Sequence, residues 1–77
     1  MATLHVNAGR MAGVRTGDLV GAIANEAGIN SNRIGPIKVS DQFSLVKVPE
    51  EQVHSIIKAL GRTRIKGQKV TIRLYKE

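Results

Sequence analysis

Apolar side chains recur with two different periods along this chain, and the order of these periods restricts the folds it can adopt. In residues 4–7, 37–39, 43–48 and 70–75 they follow the alternation of a strand that is buried on one face. In residues 17–27 and 49–60 they recur at every third or fourth position, which is typical of amphipathic helices. The sequence therefore predicts the order strand, helix, strand, strand, helix, strand.

Cap and turn residues mark the ends of both predicted helices. We expect Thr16 to be the N-cap of the first helix, which covers residues 17–27, and Gly28 to end it. Pro49 is expected at the first helical position of the second helix, because its fixed φ suits that place. Gly61 is expected to end this second helix.

This order of elements predicts an α+β fold, the ferredoxin-like βαββαβ arrangement. The two-residue link at 41–42 favours an antiparallel hairpin between the second and third strands. Two helices would cover one face of a four-stranded antiparallel sheet whose centre holds the first and third strands. With 77 residues, the chain is expected to form one domain over residues 1–77.

Strand alternation divides the side chains between the two faces of the predicted sheet. The face toward the helices would hold Leu4, Val6, Ile37, Val39, Val70, Ile72 and Leu74, and the open face Thr3, His5, Asn7, Lys38, Thr71, Arg73 and Tyr75. The third strand is apolar on both sides. If Val46 and Val48 point inward, then Phe43, Leu45 and Lys47 point outward. Alternatively, Phe43 lies in the core, where its burial would stabilise the fold by roughly 2–3 kcal/mol.

The net charge of +6 is concentrated at the end of the chain. Residues 1–57 carry equal numbers of basic and acidic side chains, whereas residues 58–77 carry seven basic and one acidic. The dipole of the second helix accounts for only two of these seven basic residues, Lys58 and Arg62. Cations crowded in this way match a polyanion such as a phosphate backbone. Arg10 and Arg15, close to the start of the first helix, form a second candidate anion site.

Several classes of function lack the residues that they need. The chain has no cysteine, which excludes disulfides and thiolate metal sites and fits a reducing cytosol. It has no apolar run long enough for a membrane span. His5 and His54 have no clustered ligands, so no metal site is expected. No nucleophile spacing or phosphate-binding glycine loop is present, and catalysis is not expected.

Four glycines, at positions 9, 13, 17 and 21, follow each other at intervals of four residues. No lysine follows them in the pattern of a nucleotide-binding loop. We expect these glycines to permit a tight loop and close packing of the first helix on the sheet.

The motifs at 4–10, 17–26, 34–37, 43–49 and 64–70 together resemble a known family. It is the RNA-binding domain at the C-terminus of bacterial DEAD-box RNA helicases of the DbpA and cold-shock (CsdA) type, a divergent RNA recognition motif (RRM). The resemblance covers essentially the whole chain.

By this resemblance, 4–7 would be the strand-one motif and 41–48 the strand-three motif of an RRM. His5 stands where an aromatic residue often occurs, and Phe43 occupies one stacking position. Leu45 stands at the second stacking position, where it cannot stack as an aromatic ring does, and Asp41 stands where a cation is usual. These departures shift RNA binding toward the loops and the basic C-terminal segment.

The resemblance also implies an accessory module excised from the C-terminus of a larger ATP-dependent helicase. Such a module tethers the helicase core, in cis, to structured RNA, often ribosomal RNA during assembly of the large ribosomal subunit. We therefore expect a monomeric, cytoplasmic RNA-binding domain with no cofactor and no catalysis of its own, and an association with cold-shock or stress response.

The residues expected to contact RNA are of two kinds. Phosphates would be positioned by Arg10, Arg15, Lys66, Lys69 and Arg73, and bases would be contacted by His5, Asn7, Phe43, Lys47 and Tyr75, with Lys38 as a further contact on the open face.

Two other functions are compatible with the same fold. A ferredoxin-like domain can serve protein interaction or dimerisation by pairing through its open sheet face. It can also be a small regulatory domain or anion-binding enzyme that uses the loop from Arg10 to Arg15.

Overall fold

The computed structural model describes residues 1–75, so Lys76 and Glu77, which belong to the basic C-terminal segment, lie outside the described residues. A four-stranded antiparallel sheet with strand order β2-β3-β1-β6 is accompanied by a two-stranded hairpin, β4-β5. The strands are β1 (Ala2–Val6), β2 (Ile37–Val39), β3 (Ser44–Val48), β4 (Arg64–Ile65), β5 (Gln68–Lys69) and β6 (Ile72–Tyr75), and the helices are α1 (Thr16–Ala27) and α2 (Val53–Leu60).

The predicted ferredoxin-like α+β fold is confirmed, with β1 and β3 at the centre of the sheet. Both helices pack on the same sheet face, because that face and the inner stripes of the helices carry the apolar side chains. The side chains with no solvent exposure in this layer are Leu4, Val46 and Val48 from the sheet and Leu19, Ile23 and Ile56 from the helices.

Helix α1 begins one residue earlier than predicted, and Thr16 is not its N-cap. Arg15 holds the N-cap position, and its extended backbone N–H donates to the Asp18 carboxylate over 2.9 Å. The arginine side chain cannot accept a hydrogen bond from the helix, so the carboxylate in the first turn stabilises this end. The predicted stop is confirmed, because Gly28 adopts the left-handed conformation at φ 68°.

Helix α2 begins later than predicted. A single 3₁₀ turn, Glu50–Gln52, separates Pro49 from α2, and the extended backbone of Pro49 (ψ 138°) places it before that turn. The predicted end is confirmed, since the N–H of Gly61 donates to the carbonyl of Ile57 over 2.9 Å.

The C-terminal segment differs most from the prediction. The strand predicted over residues 70–75 is shorter, and the residues before it form the β4-β5 hairpin. Its turn contains Lys66 and Gly67, both left-handed at φ 53° and 75°. Two successive left-handed residues match the twist of a two-residue hairpin. Leu74 lies opposite Leu4 in the register, yet it is 44% exposed because a groove next to the edge strand β6 stays open.

The structure settles the face of β3. Val46 and Val48 point toward the helices, whereas Phe43 is half-buried and belongs to the open face rather than the core. Ser44 shares the inner face and is fully buried. Its hydroxyl donates to the carbonyl oxygen of Ala8 over 2.7 Å, which satisfies both polar groups.

The expectation for the four glycines is correct for the loop and wrong for the helix. A Cβ on Gly9 would clash with the carbonyl oxygen of Ser40, and Gly13 adopts a left-handed turn conformation at φ 82°. Gly17 and Gly21 have no heavy atom within 4 Å of the place where a Cβ would lie, so close helix packing does not require them.

Candidate nucleic-acid interface

The strand register sets the order of side chains across the open face. Lys38, Leu45, His5 and Arg73 lie in one row across β2, β3, β1 and β6. The next row contains Lys47, Thr3 and Tyr75. The open face therefore combines rings with cations, as the alternation in the sequence predicts.

Three rings of this face pack against each other in a line that we call the aromatic column. The imidazole of His5 lies in the middle. Its centroid is 5.4 Å from that of Phe43, with an interplanar angle of 10°, and 6.2 Å from that of Tyr75, with an angle of 18°. These are offset-stacked geometries, in which each pair contributes about 0.5–1.5 kcal/mol beyond area burial. The rings are thus held in place before any ligand binds.

The middle ring of the column has one unsatisfied atom. His5 Nδ1 is buried and has no hydrogen-bond partner among the described residues. A buried polar atom without a partner costs about 1–3 kcal/mol. The contacts with Phe43 and Tyr75 therefore hold His5 in a position that costs some stability.

Asn7 has a structural contact that the sequence did not predict. Its side-chain oxygen accepts the N–H of Thr71 over 2.7 Å, and its own N–H donates to the carbonyl of Thr71 over 3.1 Å. Both bonds join the end of β1 to the segment that leads into β6. The NH₂ of the Asn7 side chain is consequently the group that can contact a base.

A second cluster of cations lies at the start of α1, and we call it the basic groove. Arg10, Arg15 and Lys66 line it together with Asp18 at the start of α1. Two contacts bring Lys66 there from the other end of the sequence. Lys66 Nζ lies 3.6 Å from Asp18 Oδ1, and the hairpin residue Gln68 donates from Nε2 to the carbonyl of Ala12 over 3.3 Å.

Carboxylates accompany the cations of this groove. Besides the contact between Lys66 and Asp18, Arg10 Nη2 lies 3.5 Å from Asp41 Oδ1. The side chains of Arg10 and Asp41 are 69% and 71% exposed, and ion pairs this exposed contribute little to stability. A phosphate could therefore replace Asp41 beside Arg10 at small energetic cost.

The structure places ten of the eleven expected contact residues on these two surfaces. His5, Phe43, Tyr75, Arg73, Lys38 and Lys47 share the open face, with Asn7 at its end, and Arg10, Arg15 and Lys66 share the basic groove. Lys69 lies on β5, opposite Arg64. Sequence reasoning missed the contacts of Asp18, Gln68 and Thr71, because they depend on partners far away along the chain.

Residues 1–75 contain neither a cluster of metal-ligating side chains nor a membrane-spanning helix. No group of three or more potential metal-ligating side chains occurs in this range. None of its helices has the length and apolar character needed to cross a membrane.

Known proteins resemble this chain in sequence. The sequence model of the family described as the DbpA RNA binding domain matches residues 3–74. The ATP-dependent RNA helicase DeaD of Buchnera aphidicola subsp. Schizaphis graminum is 38% identical over 73 residues, which are 95% of this chain and 12% of the helicase. The DeaD helicase of Mycobacterium tuberculosis strain H37Rv is 36% identical over 76 residues, 99% of this chain and 14% of the helicase. The ATP-dependent RNA helicase DbpA of Escherichia coli K12 is also 36% identical over 76 residues, which are 17% of that protein.

A solved structure shows the same fold at much lower sequence similarity. The RRM of Nab3, reported in connection with cis element recognition of non-polyadenylated RNAs, superposes with a TM-score of 0.80 at 14% identity. The match covers 99% of this chain and 96% of the Nab3 chain.

The family match extends over nearly the whole chain, and it confirms the resemblance inferred from the motifs. The chain spans between an eighth and a sixth of the length of the curated relatives it matches. It therefore corresponds to a small accessory part of those helicases, distinct from a catalytic unit. The chain belongs to the family of DbpA RNA-binding domains.

Proposed function

We propose that this chain binds RNA through the basic groove and the open sheet face together, and that it tethers a DEAD-box helicase core to structured RNA. The observation that supports this most directly is the position of the β4-β5 hairpin. The hairpin brings Lys66 next to Asp18 and into one groove with Arg10 and Arg15. Arg10 also contacts Asp41, which precedes Phe43 of the aromatic column by two residues. Phosphate-binding and base-binding groups thereby meet on adjacent surfaces.

The cations supply affinity that is independent of base sequence. Arg10, Arg15 and Lys66 would contact phosphates in the groove, with Lys69 on the hairpin and Arg73 on β6 extending the same contact. Each phosphate neutralised releases counterions, so binding should weaken steeply with salt.

The open face supplies contacts to unpaired bases. Phe43 and Tyr75 offer ring surfaces, and Lys38, Lys47 and the amide of Asn7 surround them with donors. Proteins recognise single-stranded RNA by this combination of stacking and polar contacts to splayed bases. Loops, bulges and junctions of folded RNA present such bases.

The tethering part of the proposal comes from the relatives. The DeaD and DbpA helicases are several times longer than this chain, and ATP-dependent unwinding would belong to regions outside the matched segment. We propose ribosomal RNA as the target and the cytoplasm as the location, with ribosome assembly or the cold-shock response as the setting. The domain itself would hydrolyse nothing.

A charge-reversal experiment with a matched control tests the role of the groove. Lys66→Glu combined with Lys69→Glu should weaken binding to every RNA. It should also reduce the slope of log K against log salt by roughly 1.4–1.8, the change expected for two lost phosphate contacts. The control is Lys58→Glu combined with Arg62→Glu, which changes the charge equally near Glu26, the far end of α1. Binding is measured by fluorescence anisotropy over a salt series.

The RNA panel in this experiment should contain ribosomal hairpins, a plain duplex and unstructured single strands. Preference for a ribosomal hairpin over both other classes would support a structured ribosomal target. Equal losses in the two charge-reversed variants would show that only net charge matters and would contradict the groove. A domain that binds no RNA in low salt would overturn the proposed function.

A further inference from the structure

We propose that the outer edge of β6 accepts an extended segment of a partner protein as an additional strand of the sheet, and that apolar side chains alternate with carboxylates in this segment. Such a site would lie at the edge of the sheet rather than on its open face, and it would serve protein docking in addition to RNA binding. Main-chain pairing at a sheet edge is a recurrent mode of peptide recognition.

The hydrogen-bond pattern of the sheet determines which backbone groups of β6 face outward. In an antiparallel ladder, pairs that exchange two hydrogen bonds alternate with pairs that exchange none. The N–H of Asn7 donates to the carbonyl of Thr71, so pairing with β1 uses the backbone of residues 71, 73 and 75. The N–H and C=O of Leu74 therefore point away from β1, toward the outer edge.

Nothing in residues 1–75 covers these outward groups. β6 is an edge strand of the four-stranded sheet, and the backbone of Leu74 makes no hydrogen bond to a loop or turn within this range. A row of uncovered N–H and C=O groups is a template for another strand, and proteins often interrupt it with a proline or a bulge. The register of β6 with β1 runs without a bulge, and β6 contains no proline. Leu74 is thus available for main-chain pairing.

The side chain of Leu74 borders a groove that α2 also lines. Leu74 is 44% exposed, and Val53 and Ile57 of the helix line the same groove. Of the large apolar side chains that are exposed in residues 1–75, all but one, namely Met1, Leu74 and Tyr75, line this groove. Because burial of exposed apolar surface is favourable, the groove suits an apolar side chain of a strand added beside β6.

Strand pairing sets the pattern of side chains in the added segment. Residues directly opposite each other in neighbouring strands point to the same face of the sheet, and successive residues point to opposite faces. The residue opposite Leu74 would thus point to the helix side and enter the groove. Its two neighbours would point to the open face, beside Arg73 and Tyr75. The segment therefore needs an apolar residue between two residues that suit the open face.

The charge of the open face favours carboxylates at those two positions. Arg73 and Lys47 are exposed there, and neither forms a salt bridge within residues 1–75. Glu50 also lines the groove, but it belongs to the 3₁₀ turn before α2 and not to the sheet. Opposite charges on paired strands stabilise a sheet, and like charges destabilise it. A segment of alternating leucine and glutamate fits both faces, whereas β6 of a second copy would bring another Arg73 to this edge.

A pair of N-methylated peptides tests the main-chain pairing. The probe is a six-residue peptide of alternating leucine and glutamate, blocked at both ends and added to the whole chain at up to about 1 mM. In antiparallel pairing, the leucine opposite Leu74 exchanges two hydrogen bonds with it, so the leucine N–H groups face β6 and the glutamate N–H groups face away. N-methylation of the leucines should lower affinity roughly 3- to 10-fold. N-methylation of the glutamates is the matched control, and it should change affinity less than about twofold.

Hydrogen exchange observed by nuclear magnetic resonance locates the contact on the chain. The amide of Leu74 should exchange at least about fivefold more slowly near saturation with the probe, because its N–H gains a partner. The amide of Arg73 already pairs with β1, so its exchange should change less than about twofold. Protection of the outward-facing amide alone would support an added strand.

Substitutions in the chain test the groove. Leu74→Thr keeps a residue that suits a strand but removes the apolar side chain, and it should lower affinity for the probe roughly 3- to 10-fold. Met11→Thr is the matched control, because Met11 is 77% exposed and apolar but does not line this groove. It should change affinity for the probe less than about twofold. Leu74→Thr keeps every cation, so its RNA affinity should stay within about twofold of the parent.

Four outcomes would overturn the docking site. The first is a probe that does not bind, and the second is an equal loss from both N-methylated peptides. The third is protection of the Leu74 amide that rises with chain concentration without the probe, because a second copy would then occupy the edge. The fourth is the same protection by a six-nucleotide single-stranded RNA, which would assign the edge to RNA. The proposed function is judged separately, by the RNA affinity of the parent chain.

Discussion

Gly9 lies where the chain leaves β1 and passes against the β2-β3 connection. The position of a Cβ at this residue is occupied by the backbone of Ser40, and the Phe43 nitrogen lies only 2.8 Å from it. Backbone atoms cannot move aside as a flexible side chain can. Gly21, in the middle of α1, has no heavy atom within 4 Å of the same place. The two glycines therefore differ in what a methyl group would do.

Alanine substitutions at these two positions should have opposite effects on stability. We expect Gly9→Ala to lower the free energy of unfolding by about 1–3 kcal/mol, as overpacking of a close-packed site does. Gly21→Ala should raise it by up to about 1 kcal/mol, because alanine favours the interior of a helix. Urea unfolding followed by circular dichroism measures both. Destabilisation by both substitutions would show that α1 packs more closely than the structure indicates.

Among the secondary-structure elements, two 3₁₀ turns are joined to each other by an ion pair. Arg33, in the turn Ser31–Arg33, donates from Nη2 to Oε1 of Glu51, in the turn Glu50–Gln52, over 2.9 Å. The hydrogen bond from the backbone of Glu51 and then that from Arg33 lower the pKa of the Glu51 carboxyl below its ordinary value of 4.5. The ionised form of Glu51 is thus favoured in the folded protein.

The lowered pKa of Glu51 predicts how stability depends on pH. A carboxyl whose pKa is lower in the folded state contributes stability above its unfolded pKa, and this contribution is lost as pH falls through the folded pKa. The melting temperature of Glu51→Gln should therefore fall less than that of the parent between pH 6 and pH 3. The contribution is small, because the pair is exposed. Glu50→Gln, at the adjacent residue, is the control, and identical pH profiles for all three proteins would contradict the role of the pair.

The order of elements was predictable from the sequence, whereas several of their ends were not. Apolar periodicity predicts both helices and the four strands of the main sheet because it depends only on neighbouring residues. The start of α2 was wrong because a proline can precede a 3₁₀ turn as readily as a helix. The β4-β5 hairpin was missed because strands of two residues, Arg64–Ile65 and Gln68–Lys69, have no detectable period.

Across the whole molecule, the distribution of charge opposes self-association through the sheet. The open face carries Lys38, Lys47 and Arg73, all exposed. Two copies paired through this face would bring those cations together, and the net charge of +6 would add to the repulsion. RNA carries negative charge, so its binding to this face neutralises the cations instead of bringing like charges together.

We therefore expect the chain to be a monomer that forms one-to-one complexes with a short RNA. Sedimentation velocity at several protein concentrations should show one species without RNA, and one heavier species with RNA. A dimer that forms as concentration rises and is unaffected by RNA would favour the alternative of an interaction or dimerisation module.

By itself, the sequence determined the order of the elements of the main fold, the apolar face of each of them except β3, and the excess of cations in the last twenty residues. These features are local, because they depend on spacing and composition within one segment. Only the tertiary structure decided that Phe43 lies on the open face, that His5 is stacked between two rings, and that Lys66 joins Arg10 and Arg15 in one groove. Those features depend on strand register and on a hairpin packed against a loop about fifty residues away, so no local pattern records them.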